Sequence, residues 1–431
     1  MVSTVDPKLK TFGVYGILRL LLTLLTLFLC YRFAVDSARY GVSRLFSTVA
    51  IVQSRLEATD TAVRLMPSDP EAHYTRALTL VNLGRLPEAV TELRQAIQLR
   101  PHHYYQWLDL GVTLDRLGDP QESELALRES ARLAPNFAQP HWQLGNLLFR
   151  QARYPEAFAE LRLGTKSNPN LAEGMLSLAW VAANADVGRF ETLMQPAGGR
   201  NHFEIAWFLA TQKKGPDSVR HIREAGPPRD EQELNFLRQT ISELLTVGSF
   251  SDAFDVWVLS HPGSSAEKGR IQNGDFTETI LTGDPGFGWQ IANLPNVSVS
   301  IDPSGSAPNT RSLLIEFAGE SSPSSRVIQQ FVLPASTGHY SLSFMVRTEK
   351  LVTGGPPVLV VIDANSPSSK ILGSSKPLSS ETENWTAFTV DFSVAEAPPA
   401  ILIGLQRLPC TPGPCPVFGK LWLSHLTLIK T

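Results

Sequence analysis

The sequence predicts a multidomain α plus β chain: an N-terminal transmembrane helix, an α-solenoid and a C-terminal jelly-roll β-sandwich. Three observations carry this reading. An apolar run lies between Gly13 and Val35. Prolines recur at a constant interval, at Pro67, Pro101, Pro135 and Pro169. Past His261 the helical spacing gives way to short alternating or β-branched runs separated by turn residues. The length of 431 residues suits two or three domains. A formal net charge of -3 leaves no electrostatic footprint for nucleic acid.

The apolar run is read as a membrane anchor over residues 13–35, behind a short cytoplasmic tail of residues 1–12. A helix needs about 20 apolar residues to cross the hydrocarbon core. Here that span includes Arg19, whose long stem can reach the headgroups. A cleaved signal peptide is the alternative. No small-x-small site follows the run, and Ser37-Ala38 is preceded by Asp36. A lipoprotein reading at Cys30 fails because Leu29 stands where a small residue is wanted. Lys8 and Lys10 before the run, against Arg32, Arg39 and Arg44 after it, leave orientation open.

The interval between the prolines, about 34 residues, is the mark of paired helices stacked into a solenoid. Each proline follows a similar helix end: AVRLMP, AIQLRP, SARLAP and GTKSNP. Between them, small residues (Ala77, Ala89, Gly111, Gly145, Ala157) alternate with large ones (Leu80, Leu93, Leu114, Leu127, Leu148, Leu161). Small positions let helices approach closely, and proline stops each second helix. The spacing weakens after residue 172 and returns at Gly248, Ala253 and Trp257, so the solenoid is expected over residues 45–261.

These residues match the tetratricopeptide repeat, and the resemblance implies a groove, lined by each first helix, that binds peptides or partner proteins. Carried over position by position, that groove shows Tyr74 and Asn82; Asp115 and Arg116; Trp142, Asn146 and Arg150; and Trp180 and Asn184. Asn146 and Arg150 are similar to a carboxylate clamp whose companion lysines are missing. Trp142 and Trp180 would serve the groove or pack between helices. His102-His103 lacks further ligands, and the nine His and three Cys stand at no zinc spacing, so neither metal nor cofactor is expected.

Residues 262–271 read as a linker and 272–431 as the sandwich. Its runs are NVSVSI, SLLIEF, VIQQFVL, YSLSFMVRT, PVLVVID, AFTVDFSV, AILIGLQRL and LWLSHLTLI, which suits a jelly roll. Asn273-Gly274-Asp275-Phe276, Gly288-Trp289, Tyr340 to Phe344, Asn384-Trp385 and the closing Phe418 to Leu428 resemble the galactose-binding-like carbohydrate-binding modules. That resemblance implies exposed rings stacking on sugars, with Trp289, Tyr340, Trp385 and Trp422 as candidates. Trp289 and Trp385 sit at positions that usually pack. Ser424-His425 stands where such modules carry acidic residues for a structural calcium, and Asp275 alone cannot supply six to eight oxygens.

Cys410 and Cys415 bracket TPGP, a separation that suits a small hairpin disulfide, the alternative being two reduced thiols. A disulfide in this type of sandwich implies an oxidising compartment. That sets the orientation, with the C-terminal domains extracytoplasmic (periplasmic) and a single pass through the bacterial inner (plasma) membrane. No G-x-S-x-G elbow, P-loop or H-E-x-x-H occurs, and no catalysis is expected. Two functions are expected. One is a membrane-anchored adaptor for protein partners in envelope or exopolysaccharide assembly. The other is a polysaccharide-binding sandwich with the helices as a spacer.

Overall fold

The computed structural model describes residues 7–53, 55–261, 266–281, 283–308, 310–366, 368–378, 382, 384–395, 400–410 and 415–431. Contacts divide the chain into two units, Met1–Met194 and Gln195–Thr431. The division falls well ahead of the 262–271 boundary read from composition.

The first unit is helical throughout. Its elements are α1 (Pro7–Gln53), α2 (Leu56–Leu65), α3 (Pro70–Asn82), α4 (Leu86–Leu99), α5 (Tyr104–Leu117), α6 (Pro120–Leu133), α7 (Ala138–Arg150), α8 (Tyr154–Ser167), α9 (Ala172–Ala182) and α10 (Val187–Met194). Side-chain caps or prolines start four of them. Asp69 accepts from the Glu71 N–H and Asp119 from the Glu122 N–H, while Pro70, Pro87, Pro120 and Pro155 occupy first-turn positions that need no donor. Pro67, Pro101, Pro135 and Pro169 stand just past the ends of α2, α4, α6 and α8, as the periodic spacing predicts.

The hairpin turns need a left-handed residue. Gly84 (φ +75) and Gly118 (φ +90) supply it, and at the equivalent position of the next repeat Ala152 takes φ 58 with a side chain. Close approach explains the small residues. A Cβ on Gly111 would lie 2.6 Å from Leu127 Cγ, and one on Gly145 would lie 2.7 Å from Leu161 Cγ. Helices pack on their chain neighbours from α2 to α10, the one-dimensional arrangement of a solenoid.

Helix α1 spans 47 residues, about 70 Å at 1.5 Å per residue. Gly16–Val49 is long and apolar enough to cross a membrane, and its most apolar stretch is not buried by the protein. Ile17, Leu20 and Phe28 are all exposed. The last turns of the same helix pack on α2 and α3. Ser43 Oγ donates to the Ala62 carbonyl at 3.1 Å, and Arg44 pairs with Asp69 at 3.2 Å. One helix therefore carries both the apolar stretch and a packing surface for α2 and α3.

The second unit joins four helices to two sheets. The helices are α11 (Gly199–Thr211), α12 (Gly215–Ala225), α13 (Glu231–Thr246) and α14 (Phe250–Ser260). The strands are β1 (Gln290–Ile291), β2 (Val297–Asp302), β3 (Ser312–Glu320), β4 (Ile328–Val332), β5 (Gly338–Thr353), β6 (Pro357–Asp363), β7 (Ile371–Ser374), β8 (Thr386–Val394), β9 (Ile401–Arg407) and β10 (Pro416–Lys430). They form two antiparallel five-stranded sheets, ordered β1-β4-β9-β6-β7 and β2-β3-β10-β5-β8.

Inward residues of both sheets meet in one core that includes Leu313, Ile315, Phe344, Leu359, Ile403 and Leu421. The eight runs read from sequence are all strands, and β1 and β7 are additional. A second core joins the helices to the sheets. Phe203, Ile241, Phe250, Phe254 and Trp257 pack with Phe287, Leu333 and Ala400. Trp257 Nε1–H donates to Asp284 Oδ2 at 2.9 Å. Helices α11–α14 therefore share a core with Phe287, Leu333 and Ala400 of the strand-bearing part of their own unit.

Candidate functional site

The first helices of successive repeat pairs (α3, α5, α7, α9) carry the groove positions read from the sequence, except Asn184. Two links run between consecutive first helices. Tyr74 Oη donates to Asp109 Oδ2 at 2.5 Å, and Arg150 Nη2 pairs with Asp115 Oδ2 at 2.5 Å. The Tyr74 and Tyr105 rings meet edge-on at 5.0 Å. Burial raises the Asp109 pKa against the Tyr74 hydrogen bond, which favours the carboxylate. Burial and then the Asp109 charge raise the phenol of Tyr74.

The groove residues differ in what they offer. Asn82 and Arg116 are exposed at the ends of α3 and α5. Asn146 Nδ2 donates to the Trp142 carbonyl at 2.8 Å. Together with the Arg150–Asp115 pair, this engages both members of the clamp read from sequence. Arg150 is 53% exposed and makes this pair through Nη2, so its other guanidinium N–H groups remain available to a partner carboxylate. Trp142 packs towards α9, where a Cβ on Gly174 would lie 3.1 Å from its ring. Trp180 meets Phe190 edge-on at 5.6 Å. Asn184 lies beyond the end of α9 in a left-handed turn, φ 53, off the helix that lines the groove.

One recurring feature was not singled out from the sequence. His73, Trp107 and His141 occupy equivalent positions in successive repeats, and each ring reaches a carbonyl just ahead of its own helix. The partners are Pro67 (2.9 Å), Pro101 (2.8 Å) and Pro135 (3.0 Å). His73 and His141 also face Glu92 and Glu160, on the second helix of the same pair, at 2.6 and 2.7 Å. The regular recurrence of these rings at the repeat interval was the available signal.

In the second unit the four aromatic candidates separate. Trp289 and Tyr340 are each 3% exposed in the inter-sheet core, so neither ring offers a face to a sugar. Trp289 Nε1–H reaches the Asn273 carbonyl, and the Tyr340 hydroxyl donates to the Ser336 carbonyl. Trp422 and Trp385 flank Arg347, whose guanidinium lies 4.2 Å and 5.5 Å from their ring centres. Trp422 alternates with core residues Leu421 and Leu423, which puts it on the outer face of its sheet, but Arg347 lies over its ring and it is only 5% exposed, so it too offers no open face to a sugar; its Nε1–H donates to Asp302.

His425 pairs with Asp275 at 2.9 Å, at the positions compared above with a calcium site. Cys410 and Cys415 are disulfide-bonded, with Cα atoms 6.1 Å apart. No metal spacing was evident along the chain, yet the fold converges His202, His221 and Glu224 to within 4.8 Å of one another.

The family model for the tetratricopeptide repeat matches residues 56–104, 74–138 and 108–172. Residues 56–172 carry tetratricopeptide repeats. Such repeats generally serve as protein-interaction scaffolds, using the extended surface the stack creates. No curated protein matches the chain. Among solved structures, a MamA RS-1 double mutant is 19% identical over 36% of this chain and 93% of its own, with a TM-score of 0.32. PilF of Pseudomonas aeruginosa is 15% identical over 54% of this chain and 95% of its own, with a TM-score of 0.31. YrrB, described as a TPR protein with an unusual peptide-binding site, is 17% identical over 50% and 88%, with a TM-score of 0.29.

Proposed function

We propose that the chain is a membrane-anchored, extracytoplasmic scaffold that holds protein partners along its tetratricopeptide groove, in envelope or exopolysaccharide assembly. The observation that carries this is the continuity of α1. One helix holds an unburied apolar stretch and, in its last turns, the packing surface for α2 and α3. A repeat array fused in this way to a hydrophobic helix is held at a surface, which favours capture of partners there. The anchor is assigned to residues 13–35, behind the cytoplasmic tail 1–12. The Cys410–Cys415 disulfide supports an oxidising side for the bulk of the chain.

The groove residues offered to a partner are Asn82 and Arg116, flanked by the Tyr74–Asp109 and Asp115–Arg150 links. Co-purification in detergent tests this. Full-length protein retains a stoichiometric partner, and the double variant Asn82→Arg, Arg116→Glu loses it while keeping its helical signal. Equal retention by the variant contradicts the assignment.

A second reading is favoured by Trp385, the half-buried ring of the four candidates, which lies beside Arg347 on the outer face of its sheet while Trp422 is covered. In that reading the sandwich, of the jelly-roll and carbohydrate-module type, binds polysaccharide on this face. Trp385→Ala then abolishes retention on a polysaccharide array. An array that holds neither wild type nor variant rejects it.

A further inference from the structure

The helix pair α11–α12 repeats the geometry of the earlier pairs and departs from it at one position. Ser218 Oγ donates to the Ala206 carbonyl, an offset of 12, as Ser123 Oγ does to Gly111 in α5–α6. This fixes the register. His202 then stands where His73 and His141 stand in their pairs. Its partner on the second helix is His221, where the others carry Glu92 and Glu160. A histidine–carboxylate pair has become a histidine–histidine pair, with Nδ1 atoms 2.9 Å apart.

A third donor closes the set. Glu224 Oε2 lies 3.2 Å from His202 Nδ1 and 3.7 Å from His221 Nδ1. We propose that His202, His221 and Glu224 form a zinc-binding site in the second unit. Tetrahedral zinc with bonds of about 2.0–2.1 Å separates its ligand atoms by about 3.3–3.4 Å. The three observed separations bracket that value. Two imidazoles and a carboxylate are borderline donors suited to this ion, leaving one coordination position for water. Arg220 Nη1 lies 3.4 Å from Glu224 Oε1 and orients the carboxylate from its other oxygen. His221 is buried, whereas Glu224 is 43% exposed, so the ion reaches the site from solvent.

The test uses the untagged full-length chain in detergent, stripped with a chelator and titrated with Zn²⁺ against a chromophoric competitor. One zinc binds per chain. Glu224→Gln, an exposed change that preserves the fold, weakens binding by about 10–100-fold, and His202→Ala weakens it further. Cys410→Ser with Cys415→Ser leaves it unchanged. Far-UV circular dichroism confirms that the variants are folded, and Glu224→Gln decides the matter if His202→Ala is not. The proposal is overturned if the competitor removes all zinc from the wild type, which would leave a metal-free hydrogen-bonded histidine pair. It is equally overturned if Glu224→Gln binds zinc as the wild type does.

Discussion

Both ring nitrogens of His73 face acceptors, Glu92 Oε2 at 2.6 Å and the Pro67 carbonyl at 2.9 Å. Only the imidazolium can donate to both. The Glu92 hydrogen bond holds the His73 pKa above its ordinary 6.5, although burial acts to lower it. Burial pushes Glu92 up, but hydrogen bonds and charge from His73 and Arg76 outweigh it and leave its pKa below the ordinary 4.5. The signs follow by linkage. The His73 contribution is full below pH 6.5 and is lost as pH rises through the raised folded pKa. The Glu92 contribution is present above pH 4.5 and is lost as pH falls through the lowered one. Thermal unfolding of the full chain between pH 5 and 9 therefore shows the repeat unit weakening on the alkaline side. His73→Gln flattens that decline and costs about 2 kcal/mol at pH 6. An unchanged pH profile in the variant contradicts this. At Ala152 the backbone pays a left-handed cost that glycine avoids at Gly84 and Gly118. Ala152→Gly should stabilise the unit by about 0.5–1 kcal/mol in denaturant unfolding, the lower unfolded-chain entropy of alanine offsetting the rest.

At the scale of elements, the repeats rest on close helix approach. Gly111→Ala sets a methyl against Leu127, and overpacking of this kind costs about 1–3 kcal/mol. Gly84→Ala, with nothing within 4 Å of its Cβ, strains only the backbone. Measured midpoints for the two variants separate packing from φ. These elements were legible because both of their signals are periodic: a fixed proline interval for the helix pairs and in–out alternation for the strands. Strand β1 escaped because it has two residues, and edge strand β7 because Ile371 is exposed and no residue in it is fully buried. The helices that carry the proposed groove positions were legible from the repeat register. The pairing between them was not, because the Asp115–Arg150 and Tyr74–Asp109 links join residues in different repeats that each look solvent-facing alone. Trp289 and Tyr340 show the same limit, since an aromatic in a strand reads alike whether it faces a core or a ligand.

At the scale of the molecule, composition separates helices from strands but does not say which helices share a core with the strand-bearing part. Phe331 lies in the core shared with α11–α14, with ring centres 5.8 Å from Phe250 and 6.3 Å from Phe287. A fragment beginning at residue 195 should melt in a single transition followed equally by helical and tryptophan signals. A fragment beginning at residue 262 lacks Phe250, Phe254 and Trp257, exposes Phe287 and Leu333, and should melt about 10 °C lower or aggregate. Equal melting of the two fragments would show that composition had marked the true boundary.

The proposed capture of a protein partner at the membrane is tested most directly by photocrosslinking in living cells, with a photoreactive residue at Asn82 or Arg116 and a control at exposed Leu125 on α6. The groove positions should each give the same discrete adduct in the membrane fraction, and the control none. Adducts at Leu125 alone, or a crosslinked product recovered only from the soluble fraction, would contradict the scaffold.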